Sequence, residues 1–345
     1  MRAVSLTEFG DAKNLIDRTL PKPSVKSHEV LIRVKAAAFN PIDYQLRQFG
    51  FPSMKLPVTL GFDVSGVVEA CGDAVTSLDR GHEVFAYLGG PGLAGGYAEF
   101  VAVPHWFVAK KPRSLSFIEA ASVPLAGLTA LQCLDRAQLD TKKFLMVAGG
   151  AGGVGSWAIQ IAKAKGFTNL VTTAGSAVSR QYLVDVLKVP ARQIVMYPGL
   201  GRADLAKEAI AANSGTLFDV ALDCVGGAMT NLCCDVVGFE GQVVSIVNGP
   251  KDASRDVAIA DEDGLFNKSA TFHFQLVYAL AEYAPPDRQS IYAQQLNALA
   301  SMIDGGTITL PKTTNIGPLS AATVRDAHRM LEGGHTNGKL VATVE

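Results

Sequence analysis

Gly150, Gly152 and Gly155 stand at GxGxxG spacing within Ala148-Gly149-Gly150-Ala151-Gly152-Gly153-Val154-Gly155-Ser156. The run follows the apolar Phe144-Leu145-Met146-Val147 and opens into Trp157-Ala158-Ile159-Gln160-Ile161-Ala162-Lys163, so a strand, a turn and a helix start succeed one another. In that context each glycine has a use. The first supplies the tight turn, the second lets backbone come close to a pyrophosphate, and the third lets helix pack on strand. Ala151, Gly153 and Val154 complete the turn. Phosphates would sit on the free N–H groups of the helix N-terminus, favoured by the positive end of its dipole. The chemistry such an arrangement serves is dinucleotide binding.

A chain adapted to NAD places Asp or Glu about 20 residues beyond the first glycine, where it accepts the ribose 2′-hydroxyl. Here that place reads Thr172-Thr173-Ala174-Gly175-Ser176, and the first acid is Asp185. A carboxylate would repel a 2′-phosphate, whereas Ser176 and Arg180 can bind one through hydrogen bond and charge. The pattern favours NADPH; the alternative for Arg180 is a solvated helix position. Cys224, Val225, Ile246 and Val247 fall at the ends of the fourth and fifth strands, the carboxyl edge at which parallel sheets bind ligands.

The elements that must hold these residues divide the chain in two. At 345 residues the length suits roughly two domains, each able to bury its own core. Up to Arg113 the sequence is rich in short β-type runs: Val30–Val34, Ser65–Glu69, Glu83–Ala86 and Tyr97–Val103. Turn signals such as Pro21-Lys22-Pro23, Gly72-Asp73 and Gly89-Gly90-Pro91-Gly92 separate them, which predicts a small antiparallel barrel. From about Phe117 strands and helices alternate: helices over Leu128–Arg136, Gly153–Lys165, Ser179–Leu187 and Arg202–Ala211, strands over Phe144–Val147, Asn169–Thr173, Gln193–Met196, Phe218–Leu222 and Gly241–Val247. That alternation predicts a doubly wound parallel sheet. Helices over Arg288–Ile303 and Ala321–Leu331 and an edge strand over Lys339–Val344 would return to the first domain and make it discontinuous. The expected boundaries are 1–118, 119–268 and 269–345.

Composition narrows the function classes. With 48% hydrophobic and 18% charged residues and a formal net charge of −1, the chain is neither a nucleic-acid binder nor a membrane span nor disordered. The N-terminus enters an amphipathic strand with acids close behind, unlike a signal or transit sequence, so a cytoplasmic location is expected. The five cysteines show no CxxC spacing and the six histidines no HxH or HxxxH pair, so a zinc site has little support. Cys233-Cys234 reads as two buried reduced thiols rather than a redox switch.

With these residues in view, the chain resembles the medium-chain dehydrogenase/reductase superfamily, in its zinc-free quinone oxidoreductase branch of zeta-crystallin-like and enone-reducing enzymes. The blocks that carry the resemblance are Asn40-Pro41-Ile42-Asp43, Gly61-Phe62-Asp63-Val64-Ser65-Gly66-Val67-Val68, Gly95-Gly96-Tyr97-Ala98-Glu99-Phe100 and Pro124-Leu125-Ala126-Gly127-Leu128-Thr129-Ala130. The glycine turn, Phe218–Gly227 and the terminal Gly338-Lys339-Leu340-Val341 complete them. The resemblance implies an α/β fold, a Rossmann doubly wound sheet plus a discontinuous GroES-like β-barrel domain, with the cofactor in the cleft between them and a homodimer as the assembly. Zinc-dependent relatives hold their metal at places that read here Asn40, Phe62-Asp63 and about Leu125, a set that cannot hold zinc, and the four-cysteine structural lobe is missing. Without a Lewis acid the easier reaction is hydride transfer to a quinone or an α,β-unsaturated carbonyl.

Individual roles follow from the resemblance. It places Arg180, or Ser179 in its stead, and Tyr197 at the 2′-phosphate, and Asn40 beside the nicotinamide ribose, where the alternative is an Asx-type turn before Pro41. Thr129 matches a cofactor-facing threonine or else a plain helix face. Asn337 and Lys339 match a terminal loop that closes toward the cofactor, or else a surface Asn-Gly turn followed by an edge strand. The tyrosine that quinone reductases carry soon after the first block aligns with Gln45, so Tyr44 is a proton-donor candidate displaced by one residue. Phe49, Phe51, Phe272 and Phe274 line either an apolar substrate pocket or the core. Two further functions stay open: a nucleotide-binding structural or regulatory protein with little turnover, and a zinc alcohol dehydrogenase with an atypical site.

Overall fold

The computed structural model describes residues 1–90, 94–138, 143–247, 264–334 and 336–345; Pro91 and Gly92 of the expected glycine turn lie outside them. The chain divides into two compact units. One comprises Met1–Leu128, Val277–Thr307 and Lys312–Glu345, the other Thr129–Leu276 with Ile308–Pro311. The divisions at 128/129 and 276/277 fall later than the expected 118/119 and 268/269. The helix Pro124–Arg136 runs unbroken through the first division, and a strand precedes the second.

The first unit is built on a seven-stranded sheet. Its path runs Thr313–Pro318, Lys339–Thr343, Glu29–Phe39, Asp63–Cys71, Glu83–Tyr87 and Val108–Lys110, with Phe100–Pro104 also paired to Glu29–Phe39. All pairs are antiparallel except Thr313–Pro318 with Lys339–Thr343. A three-stranded sheet of Leu15–Thr19, Arg2–Leu6 and Val58–Thr59 joins it through the Ala3–Ala98 bridge. These strands are buried over consecutive positions, with Val30, Ile32, Val64, Val84, Phe85 and Val341 in the core. Lys339–Thr343 corrects the expected edge strand, because it has a partner on each side. A helix over Pro41–Phe49 follows Asn40, where the sequence suggested only a turn. Pro41 sits at the first helical position and Asp43 at the third, its carboxylate Oδ2 accepting the Asn40 N–H at 2.7 Å.

The second unit is a six-stranded parallel sheet in the order Ile194–Met196, Leu170–Ala174, Leu145–Ala148, Phe218–Asp223, Val237–Ser245, Thr271–Phe274. In chain order this is 3-2-1-4-5-6, the doubly wound dinucleotide-binding arrangement, and the direction of winding reverses between Leu145–Ala148 and Phe218–Asp223. The strands Leu145–Ala148 and Leu170–Ala174 are buried throughout, as a parallel sheet covered on both faces requires. The fifth strand begins at Val237, four residues before the expected Gly241, and the sixth was not anticipated. Phe272 packs against this unit's core and Phe274 is 66% exposed, so both belong to an outer strand of the parallel sheet. Among the described residues no helix is long and apolar enough to cross a membrane.

Candidate functional site

The glycine turn lies at the carboxyl end of the first parallel strand, at the point where the winding reverses. The helix Gly153–Ala164 starts immediately after it, with Gly152 as its N-cap. The first intrahelical bond runs from the Ser156 N–H to the Gly152 carbonyl at 2.9 Å, which leaves the N–H groups of Gly153, Val154 and Gly155 without helical acceptors. Gly149, rather than Gly150, makes the tight turn, with φ at +80°. A Cβ on Gly150 would overlap Thr172 Oγ1 on the neighbouring strand, and one on Gly155 would overlap the Gly149 carbonyl oxygen. Those two glycines hold helix against sheet. A Cβ on Gly152 would meet nothing nearer than the Gly149 carbonyl oxygen at 3.4 Å, so this glycine keeps space open above the turn. The second glycine therefore does what a phosphate cradle demands, and the donors beside it are backbone N–H groups at a positive helix end.

At the end of the Leu170–Ala174 strand, Ser176 caps the helix Ala177–Asp185, its Oγ accepting the Ser179 N–H at 3.0 Å. No acid stands in that helix's first turn. The Tyr197 hydroxyl presses on Gly175, where a Cβ would overlap it. Gly175, Ser176, Arg180 and Tyr197 are thus gathered at one strand end, with Arg180 and Tyr197 half-buried. Hydroxyls, a guanidinium and a helix N-terminus make this corner suited to an added anion.

Asp223 closes the other side of the turn, and sequence reasoning missed it. Buried at the end of the fourth strand, its carboxylate accepts the N–H groups of Val225 and Gly226 at 3.0 and 2.8 Å and the hydroxyls of Thr230 and Ser245 at 2.6 and 2.9 Å. These bonds fix the Cys224–Gly227 loop. Val225 lies over Gly149, and Val247 against Gly226; Ile246 donates its N–H to the Asp223 carbonyl at 3.1 Å. Cys224 and Val225 therefore border the turn, while Ile246 and Val247 back the loop that carries them. Thr129 is buried in the helix Pro124–Arg136 of the same unit's edge. Cys233 and Cys234 are buried free thiols, both pushed up by burial, Cys234 to about 12.

The first unit holds a second polar cluster. Asp63 is buried and accepts Asn40 Nδ2 at 2.9 Å, the Leu125 N–H at 2.7 Å and Lys339 Nζ at 3.2 Å; the same ammonium donates to Asn40 Oδ1. Lys339 is 4% exposed, so it is an interior strand residue rather than part of a closing loop. Burial raises the Asp63 carboxyl, and the Lys339 charge and three hydrogen bonds oppose that rise. Asn40, Asp63 and Leu125 are thus brought together as the resemblance implies. What they present to one another are N–H donors around one carboxylate, with an ammonium as its counter-charge. Tyr44 is half-buried on the helix Pro41–Phe49, the Asn337-Gly338 turn has Gly338 at φ +79°, Phe51 packs edge-on to Tyr278 at 5.7 Å, and Phe49 is 81% exposed.

Comparison with known proteins gives two family matches, the alcohol dehydrogenase GroES-like domain over residues 26–113 and the zinc-binding dehydrogenase domain over 191–341. A 2-methylene-furan-3-one reductase of Solanum lycopersicum is 31% identical over 99% of this chain and 78% of its own. An NADPH-dependent alkenal/one oxidoreductase of Arabidopsis thaliana, a chloroplastic protein, is 30% identical over 99% of this chain and 79% of its own. The quinone oxidoreductase of Coxiella burnetii superposes with a TM-score of 0.80 at 30% identity, over 100% of this chain and 99% of that one.

Proposed function

This chain belongs to the medium-chain dehydrogenase/reductase superfamily, in its quinone oxidoreductase-like branch, and from that premise we propose that it is an NADPH-dependent reductase of quinones or α,β-unsaturated carbonyl compounds that works without zinc. The observation that carries this reading is the Asn40–Asp63–Leu125–Lys339 cluster. A catalytic zinc needs lone pairs aimed at a common point. At these positions an amide, a backbone N–H and an ammonium all point protons at Asp63, whose oxygens they occupy. A metal entering there would have to displace a lysine charge.

The cofactor supplies a hydride from its nicotinamide; the protein's part is to hold and orient. The N–H groups of Gly153, Val154 and Gly155 would take the pyrophosphate. Ser176, Arg180 and Tyr197 would surround the 2′-phosphate. The Asp223-anchored loop with Cys224 and Val225, together with Ile246 and Val247, would line the apolar side of the nucleotide. Asn40 and Thr129 would act nearer the reacting ring, and Tyr44 is the side chain proposed to approach the substrate carbonyl, a solvent proton completing the reduction. We place the working protein as a homodimer.

Two experiments bear on this. Absorbance-monitored NADPH oxidation with a panel of quinones and enones should show turnover, at less than stoichiometric zinc by elemental analysis; tight NADPH binding with no turnover on any acceptor would favour the structural or regulatory reading, and bound zinc at one per chain would favour the alcohol dehydrogenase. The cofactor choice rests on the corner at Ser176. Losing one charge-assisted contact at a partly exposed site costs on the order of 1.5–3 kcal/mol, roughly tenfold or more in affinity. Arg180→Ala should therefore weaken NADPH by that factor and leave NADH nearly unchanged in fluorescence titrations. Equal weakening of both, or a native preference for NADH, would make Arg180 a solvated residue.

A further inference from the structure

Beside the Asp63 cluster the first unit encloses polar atoms that the proposed reaction leaves unused. Asp43 is fully buried in the first turn of the Pro41–Phe49 helix. Its Oδ2 accepts the Asn40 N–H, while Oδ1 has no hydrogen-bond partner among the described residues. The Tyr97 hydroxyl, equally buried, faces this carboxyl and is likewise without a formed bond. Two buried polar atoms left unsatisfied face to face cost free energy in any protein unless a hydrogen bond, donated by either group, joins them.

The charges around the pair decide where that proton is. Asp43 is faced by Asp63 from the neighbouring strand, by Lys339 from the last strand and by Tyr97 from the loop before Phe100–Pro104. Lys339 is already committed to Asp63 and to Asn40. One ammonium thus stands among two buried carboxyls, and Asp63, with three donors of which one is that cation, is the one suited to be ionised. A turn further along the helix, Arg47 pairs with Glu332 and donates to His328 Nδ1 at 3.2 Å, which leaves it turned away from this balance. His328 is held neutral, its imidazole pushed down to about 3 by burial and by Arg47.

We infer that Asp43 and Tyr97 together hold a proton inside the first unit, and that Asp43, standing as a neutral acid, is the positioning residue for Asn40. In this state the acid's O–H on Oδ1 donates to Tyr97 Oη, and Oδ2 keeps the Asn40 N–H. Loss of the proton reverses the bond, so that Tyr97 donates to a carboxylate, and adds an uncompensated negative charge next to Asp63. Asn40 feels both changes, through its own N–H and through the Asp63 and Lys339 groups that hold its amide. Burial, reinforced by the Asp63 charge, sets the transition near neutrality, the Asp43 carboxyl being raised to about 7 despite the Asn40 bond. The folded state then binds this proton more tightly than the unfolded chain does. The stability it contributes is fully present below the ordinary carboxylate range and is lost as pH rises through about 7.

Infrared spectroscopy of the full chain reads the proton directly, through the carbonyl stretch of a protonated carboxyl. The wild type should show such a band at mildly acidic pH, disappearing with a midpoint near neutrality. Asp43→Asn should remove it and flatten the dependence of melting temperature on pH, making the variant more stable than the wild type in alkali. Tyr97→Phe should shift the band by removing its acceptor, a change that a packing defect alone would not produce. A midpoint in the ordinary carboxylate range, or a band that survives Asp43→Asn and vanishes in Asp63→Asn, would overturn the assignment. The wild-type titration and the Tyr97→Phe shift remain decisive should Asp43→Asn fail to fold.

Discussion

Gly152→Val should lose at least a hundredfold in dinucleotide affinity while melting within a few degrees of the wild type. The backbone at Gly152 is extended, with φ at −75° and ψ at 173°, a conformation open to any residue. A Cβ added there meets only the Gly149 carbonyl oxygen, at 3.4 Å. Nothing in the fold resists it, so the cost falls on whatever must approach the turn. A pyrophosphate drawn to the N–H groups of Gly153, Val154 and Gly155 would be held off by the valine methyls. Gly155→Val provides the contrast. Its Cβ would overlap the Gly149 carbonyl oxygen and come to 2.8 Å from Gly150 Cα, backbone atoms that cannot turn aside, and overpacking of that kind costs about 1–3 kcal/mol or more. This second variant should melt well below the wild type. Fluorescence titration with NADPH and thermal melting separate the two effects. If Gly152→Val binds as tightly as the wild type, the phosphates lie elsewhere.

Lys339→Met should destabilise the first unit by about 3–5 kcal/mol, the usual consequence of stripping a buried carboxylate of its partner. Asp63 would keep the Asn40 and Leu125 donors and lose its counter-charge. Its carboxyl, already raised by burial, would rise further. A carboxyl whose folded value lies above its unfolded one stabilises the fold below the unfolded value and loses that contribution as pH rises. The gap between variant and wild type should therefore be smallest in acid and widen toward neutrality. Adding Asp63→Asn should recover part of the loss, because the amide removes the stranded charge. Urea denaturation followed through Trp106, in a Trp157→Phe background so that only the first unit reports, measures both steps. Equal stability of Lys339→Met and wild type at neutral pH would mean that the ion pair contributes nothing net.

The parts of the site that a reader of the sequence can find are those with local grammar. Glycine spacing, a flanking apolar run and the missing acid after Thr173 all lie within a few turns of one another, and each states its own geometry. The parallel sheet was legible for the same reason, since apolar runs of strand length alternate with helical ones. Lys339 was not. Its partner Asp63 is 276 positions away, and no periodicity connects a lysine in a β-type run with an aspartate in another. Asp223 hid in a similar way, as one acid at a strand end whose four donors come from three later segments. The Pro41–Phe49 helix had a signal, a polar cap followed by proline and an acid at the third position, but Asn-Pro is equally the start of a turn. Thr271–Phe274 is short and follows a break in the apolar pattern, so its aromatic residues read as lining a pocket or the core and not as an outer strand.

The placing of Lys339–Thr343 inside its sheet also bears on how the protein comes off the ribosome. Every strand of the parallel sheet, Leu145 to Phe274, emerges before that segment is made, and the second unit can assemble while translation continues. The first unit cannot. Its strand Glu29–Phe39 waits for a partner synthesised long after it, and Asp63 waits for the Lys339 cation that balances it. For that interval Ala36–Phe39 shows an open flank of backbone donors and acceptors, of the kind that pairs readily with other chains. The unit whose strands are begun first is thus the later of the two to become native, and it is the part of the nascent chain most exposed to chaperones and to aggregation.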